Sequence, residues 1–261
     1  WRSCISRLLD QFVEVADLAF EVVSANTIPT DEEEADGDEN LGPSSQVLTV
    51  SCWLSMKEVA LALGILTRRA PLQLTEGDEA SDTVDEEGIE SHSLLTFQQL
   101  NSIGEYFMNV LLRMKHRGAI EKTQIGFEAL CERLLSSEST QLRSLPDVWQ
   151  KKVFKFMQRS GQVQDDILRR SAGIPYFFKS LFRAEPGACA KLLLPKGISM
   201  LVTIAGDKSA DGEDDGSGTS ERAIPRVHAF NTLRALYSDT NLVCLREYDR
   251  EKRLVLSIHI L

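Results

Sequence analysis

The run Leu168-Arg169-Arg170-Ser171-Ala172-Gly173-Ile174-Pro175-Tyr176-Phe177-Phe178 concentrates more chemistry than any other stretch of the chain. Each guanidinium of the adjacent Arg169 and Arg170 can make charge-assisted hydrogen bonds to phosphate. If they end a helix, they point about 100° apart, which suits a phosphate backbone. Small residues then allow close approach of the main chain, and Pro175 fits the first turn of a following helix. A second reading of the same residues stays open: Ser-Ala-Gly is a tight helix–helix contact, and the arginines are solvated or paired with Asp165 and Asp166. A second basic cluster, Lys115-His116-Arg117, precedes Gly118. It reads as a helix end whose cations complement the negative pole of the dipole, or as a contact for RNA. Lys151, Lys152, Lys155, Arg226 and His228 complete the candidates for RNA contact.

Sites for bond-making chemistry are not legible. The chain has no Walker A loop, no G-x-G-x-x-G, no H-E-x-x-H and no G-x-S-x-G. The nearest mimic of a nucleotide loop ends at Gly206 and continues to Gly212, Gly216 and Gly218, but acids intervene and would repel phosphate. His92, His116, His228 and His259 are far apart, and no C-x-x-C pair occurs, so no metal site is expected. Cys4, Cys52, Cys131, Cys189 and Cys244 sit among apolar residues, where a free thiol behaves as a small hydrophobe. Their odd number and the lack of a glycosylation sequon point to a reducing compartment, cytosol or nucleus, and the chain is expected to be cytoplasmic. No uninterrupted apolar run approaches the roughly 18 residues of a membrane span, and no signal peptide is read. A first residue of Trp1 reads as a cut from something longer.

Charge is unevenly placed. The net charge of -10 over 261 residues arises from three segments, 31–39, 76–90 and 207–215, which together hold 20 acids and one lysine. The rest carries 28 bases against 19 acids, and Arg143–Arg183 alone has nine bases against Asp147, Asp165 and Asp166. The acidic segments are poor in apolar residues and are expected to be disordered inserts, near 31–46, 76–92 and 207–221.

The elements that must position these groups read as helices. Apolar residues recur at three and four from Ile5 to Val23, from Val59 to Leu66, and from Leu100 to Met114. Ser55 with Glu58, and Thr96 with Gln99, have the spacing of capping boxes. Further helices are expected at Ile120–Leu135, Pro146–Arg159, Asp165–Arg183, as a short pair around Pro195 and Gly197, and at Pro225–Tyr237. Val47–Cys52, Ser199–Ala205 and Leu254–Leu261 are the strand candidates. Some eight helices with short links predict an all-α fold, an armadillo- or HEAT-like solenoid, with a compact helical bundle as the alternative.

Four segments together resemble the family of thyroid adenoma-associated proteins, which contains the domain of unknown function 2428. They are Ser51–Glu58, Met114–Ala119, Arg169–Pro175 and Pro225–Leu236. Ile174 stands where leucine is commoner in that family. The resemblance assigns 1–245 to a helical-repeat region and leaves 246–261 as a divergent tail. It implies a non-catalytic partner of an FtsJ-type tRNA 2'-O-ribose methyltransferase, acting at nucleotide 32 of the anticodon loop. Arg169, Arg170, Ser171, Ala172, Gly173, Ile174 and Pro175 would then lie beside the partner's active site and help place the tRNA. S-adenosylmethionine would be carried by the partner, with no cofactor in this chain. The alternative is a helical-repeat scaffold for proteins that does not bind RNA.

Overall fold

The computed structural model describes residues 1–25, 43–72, 93–114, 116–159, 171, 173–187, 192–207 and 219–242. These hold eight helices: α1 (Arg2–Ala25), α2 (Pro43–Arg69), α3 (Phe97–Arg113), α4 (Arg117–Leu135), α5 (Thr140–Met157), α6 (Ile174–Ala184), α7 (Leu193–Gly206) and α8 (Thr219–Tyr237). Among the described residues the only bridge between extended segments joins Leu72 to Leu95. Pro71 O accepts from the amides of Leu94 and Leu95, so the two ends of 73–92 lie together. The sequence between, like most of the other acidic segments and all of Leu254–Leu261, is outside the described residues.

Two layers are formed. The even-numbered helices pack each on the next, α2 on α4, α4 on α6 and α6 on α8, and the odd-numbered helices cover them. Partner numbers fix the direction. Trp53 stacks on His116, Gly64 faces Gly126, and Arg68 pairs with Glu132. Ser180 Oγ donates to Gln124 O at 3.4 Å, and Arg183 pairs with Glu128. Numbers rise together in every pair, so the even helices run parallel, as stacked repeats of two antiparallel helices require. Asn101 with Trp149 and Glu105 with Lys152 show the same for α3 and α5. The sequence expectation of an all-α solenoid is met.

Small residues set the closest crossing. A Cβ on Gly126 would lie 2.4 Å from Ala60 O, and one on Gly64 would lie 2.8 Å from the Gly126 Cα. The two helices therefore touch backbone to backbone, and a side chain would push them apart. Aromatic residues fill the wider spaces. Phe127 contacts Phe107, Trp149 and Phe177, and Phe178 contacts Phe154 and Phe182. This buried ladder ties α3, α4, α5 and α6 together, each pair contributing about 0.5–1.5 kcal/mol beyond its area. In the short α6, Ile174, Phe177, Phe178, Leu181 and Phe182 are all buried.

The local signals succeed and fail for identifiable reasons. Thr96 accepts from the Gln99 amide while Gln99 Oε1 accepts from the Thr96 amide, the expected capping box. Val47–Cys52 is not a strand but part of α2, and Ser55 is no cap: its hydroxyl donates to Ser51 O, one turn back. Thr49, Trp53, Met56, Ala60 and Leu63 continue one packed face through both segments. Residues 46–69 form a helix long and apolar enough to cross a membrane by length and composition, although Lys57 and Glu58 interrupt its apolar run; here it packs between α1 and α4. Ser199–Ala205 is likewise helical, and a single helix, α7, replaces the pair expected around Pro195 and Gly197. Pro195 occupies its first turn, where a missing N–H is tolerated. The amides of Leu192, Leu193 and Leu194 meanwhile donate to the Glu185 carboxylate. Pro146 and Pro225 lie inside α5 and α8 rather than at their starts. In α5, burial of Leu142, Leu145 and Trp149 on both sides of the proline overrides the local break.

Candidate nucleic-acid and partner interface

Because the even helices are parallel, the start of α4 and the entry to α6 share one edge of the layer, the N-terminal edge of those two helices, with the middle of α2 and the middle of α8. At that edge the four sequence segments meet. Trp53, from the first, stacks on His116, from the second, with ring centroids 5.1 Å apart. Arg117, beside His116, bonds Glu121 Oε1 at 2.8 Å and also reaches Tyr176, the residue after Pro175. Ser171, in the third segment, bonds His228 and Asn231 in the fourth. A chain of contacts thus runs across α2, α4, α6 and α8 through residues separated by up to 178 positions in sequence.

The second segment is arranged differently from its sequence reading. His116 is the N-cap of α4: its Nδ1 accepts from the Ala119 amide at 3.3 Å. Arg117 is the first residue of that helix, at the positive pole, and does not complement a negative one. The reason is that α3 ends at Arg113, and the chain reverses over the next three residues. Gly118 admits the stacked pair, since a Cβ there would come 3.1 Å from the His116 ring and 3.4 Å from the Trp53 ring. The Glu121 carboxylate raises the Arg117 pKa above its ordinary value, and the guanidinium is largely exposed.

In the third segment, Gly173 precedes α6 and Pro175 is its second residue, as the sequence suggests. A Cβ on Gly173 would lie 2.1 Å from Leu111 O, so this glycine is pressed onto the last turns of α3. The tight contact read from Ser-Ala-Gly is therefore present at Gly173. Ser171 has φ of 67°, in the left-handed region. Ile174 is buried. Arg169, Arg170, Ala172 and Lys115 lie outside the described residues.

The remaining candidates divide. His228 does not lie on the surface: it is 1% exposed and turned onto Ser171. Arg226 is partly buried two residues before it. Lys151 and Lys152 stand further from the edge on α5, pairing with Asp147 at 2.7 Å and Glu105 at 2.6 Å. The hydrogen bond from Lys152 holds the Glu105 carboxyl below its usual range. Burial opposes ionisation of Asp147, but Lys151 and Lys196 outweigh it and lower that pKa as well. Lys155 is exposed near the end of α5. Sequence reasoning missed Trp53, Tyr176 and Asn231 as members of this edge. Trp53 and Asn231 fall within the segments that carry the resemblance, but neither periodicity nor charge marked them.

Among the described residues, no three His, Cys, Asp or Glu side chains are grouped closely enough to hold a metal ion. Cys4, Cys52 and Cys131 are free thiols, and burial pushes that of Cys131 well up.

The chain is similar to known proteins. A relative from Homo sapiens is 38% identical over 200 residues, covering 76% of this chain and 9% of its own length. One from Gallus gallus is 36% identical over the same span and coverage. Both are named tRNA (32-2'-O)-methyltransferase regulator THADA. One from Schizosaccharomyces pombe, named tRNA (32-2'-O)-methyltransferase regulator trm732, is 27% identical over 220 residues, covering 83% of this chain and 13% of its own. The chain thus spans about a tenth of the length of these relatives. No solved structure matches it. The family described as THADA/TRM732, DUF2428 matches residues 3–258, which takes in all four segments of the edge, and the chain belongs to that family.

Proposed function

We propose that the chain is part of a regulator of tRNA methylation, a non-catalytic scaffold that holds tRNA beside an FtsJ-type methyltransferase. The reaction it promotes is transfer of a methyl group to the ribose 2'-oxygen of nucleotide 32 in the anticodon loop. S-adenosylmethionine belongs to the partner in this scheme, and the setting is the cytoplasm. The names of the relatives support the reading. The observation that carries it is the convergence of four segments on one edge, where Arg117 stands exposed and Ser171, next in sequence to Arg170, is bonded to His228 and Asn231.

Phosphate is the ligand that such an edge suits. Guanidinium groups bind it through paired N–H donors, and such contacts position a nucleic acid without reading its sequence. Aromatic residues beside them give unpaired loop bases a surface to stack on. Arg169 and Arg170 are the proposed phosphate contacts at the partner's active site.

The test uses the full-length protein carrying Arg169→Ala with Arg170→Ala, purified methyltransferase and tRNA. Each charge-assisted bond is worth roughly 1.5–3 kcal/mol, so loss of two lowers methylation at nucleotide 32 by about 100-fold or more. Circular dichroism and co-purification with the enzyme stay as in the parent. Normal methylation by this variant overturns the reading.

A further inference from the structure

Ser171 is the one described non-glycine residue with a positive φ, and it is 1% exposed. An L-residue resists this conformation because its Cβ crowds the following carbonyl oxygen. Something must therefore hold it there, and α8 does. Ser171 Oγ lies 2.7 Å from His228 Nδ1 and accepts from Asn231 Nδ2 at 3.0 Å. His228 and Asn231 are three residues apart, so both project from one face of the helix. Thr232, one position further, donates its hydroxyl to His228 O at 2.7 Å. On the other side, Gly173 is pressed onto Leu111 O of α3. The chain at Ser171 is wedged between two helices far apart in sequence.

A serine hydroxyl on an imidazole nitrogen is also the geometry of a nucleophile and its base. Burial argues against that use here, because Ser171 and His228 are each 1% exposed and no substrate carbonyl can reach them. What the arrangement does is fix a direction. The conformation of Ser171 sets how the chain arrives at Gly173, Pro175 and Tyr176, and so how the start of α6 meets anything docked on the edge.

We infer that His228 and Asn231 are positioning residues, which hold Ser171 left-handed and so fix how Ser171 and the Gly173–Tyr176 turn are presented to tRNA and the methyltransferase. This rests on the proposed function for its readout, not for its geometry. A residue of this kind works through another side chain, so its loss lowers turnover without removing a contact to substrate.

The experiment compares Asn231→Ala, His228→Ala and His228→Asn in the full-length protein with the partner enzyme. It measures thermal unfolding, methylation at nucleotide 32, and KM separately for tRNA and S-adenosylmethionine. Asn231 is only partly buried, so its alanine variant should keep Tm within about 3 °C of the parent. Its kcat/KM for tRNA should fall at least tenfold, with KM for S-adenosylmethionine unchanged. His228→Asn places an amide near the position of Nδ1 and should recover most of the activity that His228→Ala loses. Asn231→Ala with unchanged kcat/KM for tRNA overturns the inference, as does equal loss in the two His228 variants. The arginine double variant separates the two levels. If it abolishes methylation while Asn231→Ala does not, the inference falls and the proposed function stands. If it has no effect, the proposed function falls first. Should His228→Ala fail to fold, Asn231→Ala still decides.

Discussion

The two edges of the even-helix layer are cross-linked by opposite means. At the C-terminal edge the links are charged. Arg183 bonds Asp239 at 2.6 Å and pairs with Glu128 at 3.6 Å, Lys179 lies 3.5 Å from Asp239, and Arg68 pairs with Glu132 at 3.1 Å. At the N-terminal edge the links between helices are largely neutral: an imidazole on an indole, a hydroxyl shared by a histidine and an asparagine, and a glycine against a carbonyl. Arg117 pairs within its own helix and keeps its guanidinium largely exposed. One edge spends its cations on ion pairs between helices, whereas at the other the described cation, Arg117, pairs with Glu121 of its own helix and reaches only the neutral Tyr176 of the next. The second arrangement keeps the Arg117 guanidinium at the surface beside Glu121, where an outside anion can reach it.

The comparison can be broken by substitution. The largest effect is expected for Arg183→Ala, which leaves the Asp239 carboxylate, with a side chain 2% exposed, with Lys179 at 3.5 Å as its remaining cation and the Asn241 amide as a neutral donor. Loss of one partner of a buried pair costs about 3 kcal/mol, measured as a lower midpoint in chemical denaturation. Methylation supported by the folded fraction should not change, and a specific loss of activity would mean that the charged edge is also functional. A smaller effect is expected for His116→Ala, which removes the cap of α4 and the stack on Trp53. About 1–2 kcal/mol should be lost, together with affinity for tRNA in a salt titration. If stability falls while affinity does not, the neutral edge is purely structural.

The smallest effect sharpens the charged edge itself. Burial raises the pKa of Glu128, with nearby Glu132 and Asp239 adding to the shift and Arg183 opposing it. A carboxyl whose folded pKa is raised favours the folded state most below its unfolded pKa, and that contribution is lost as pH rises through the folded value. At neutral pH the ionised Glu128 is therefore a net burden. Glu128→Gln should stabilise slightly at pH 7, and the gain should vanish below the ordinary carboxyl range. Destabilisation at pH 7 would show that the pair with Arg183 dominates.

Much of the fold was legible, because its signals are local. The capping box at Thr96 needs only four residues, and the apolar spacing of Leu100, Ile103, Phe107, Val110 and Leu111 marks one face of α3 unaided. The strand reading of Val47–Cys52 failed because a helix packed between two others is apolar on several faces, which blurs the period. Pro146 and Pro225 misled because burial of their neighbours outweighs a lost backbone bond. Of the candidate site, the close approach at Gly173 and the place of Pro175 at the start of α6 are legible from small residues followed by a proline. The partner of Ser171 is 57 residues away, and nothing in the spacing of His228 and Asn231 reveals which surface they face.

The bridge between Leu72 and Leu95 bears on how the molecule can be handled. It closes 73–92 at its base, beside the end of α2 and the start of α3, which is the edge remote from Ser171. Lengthening a closed loop is entropically cheap, about 0.6 kcal/mol for each doubling. A fluorescent domain or an affinity handle spliced between those two leucines would therefore ride on the far side of the layer, and the basic edge would remain clear for whatever docks there.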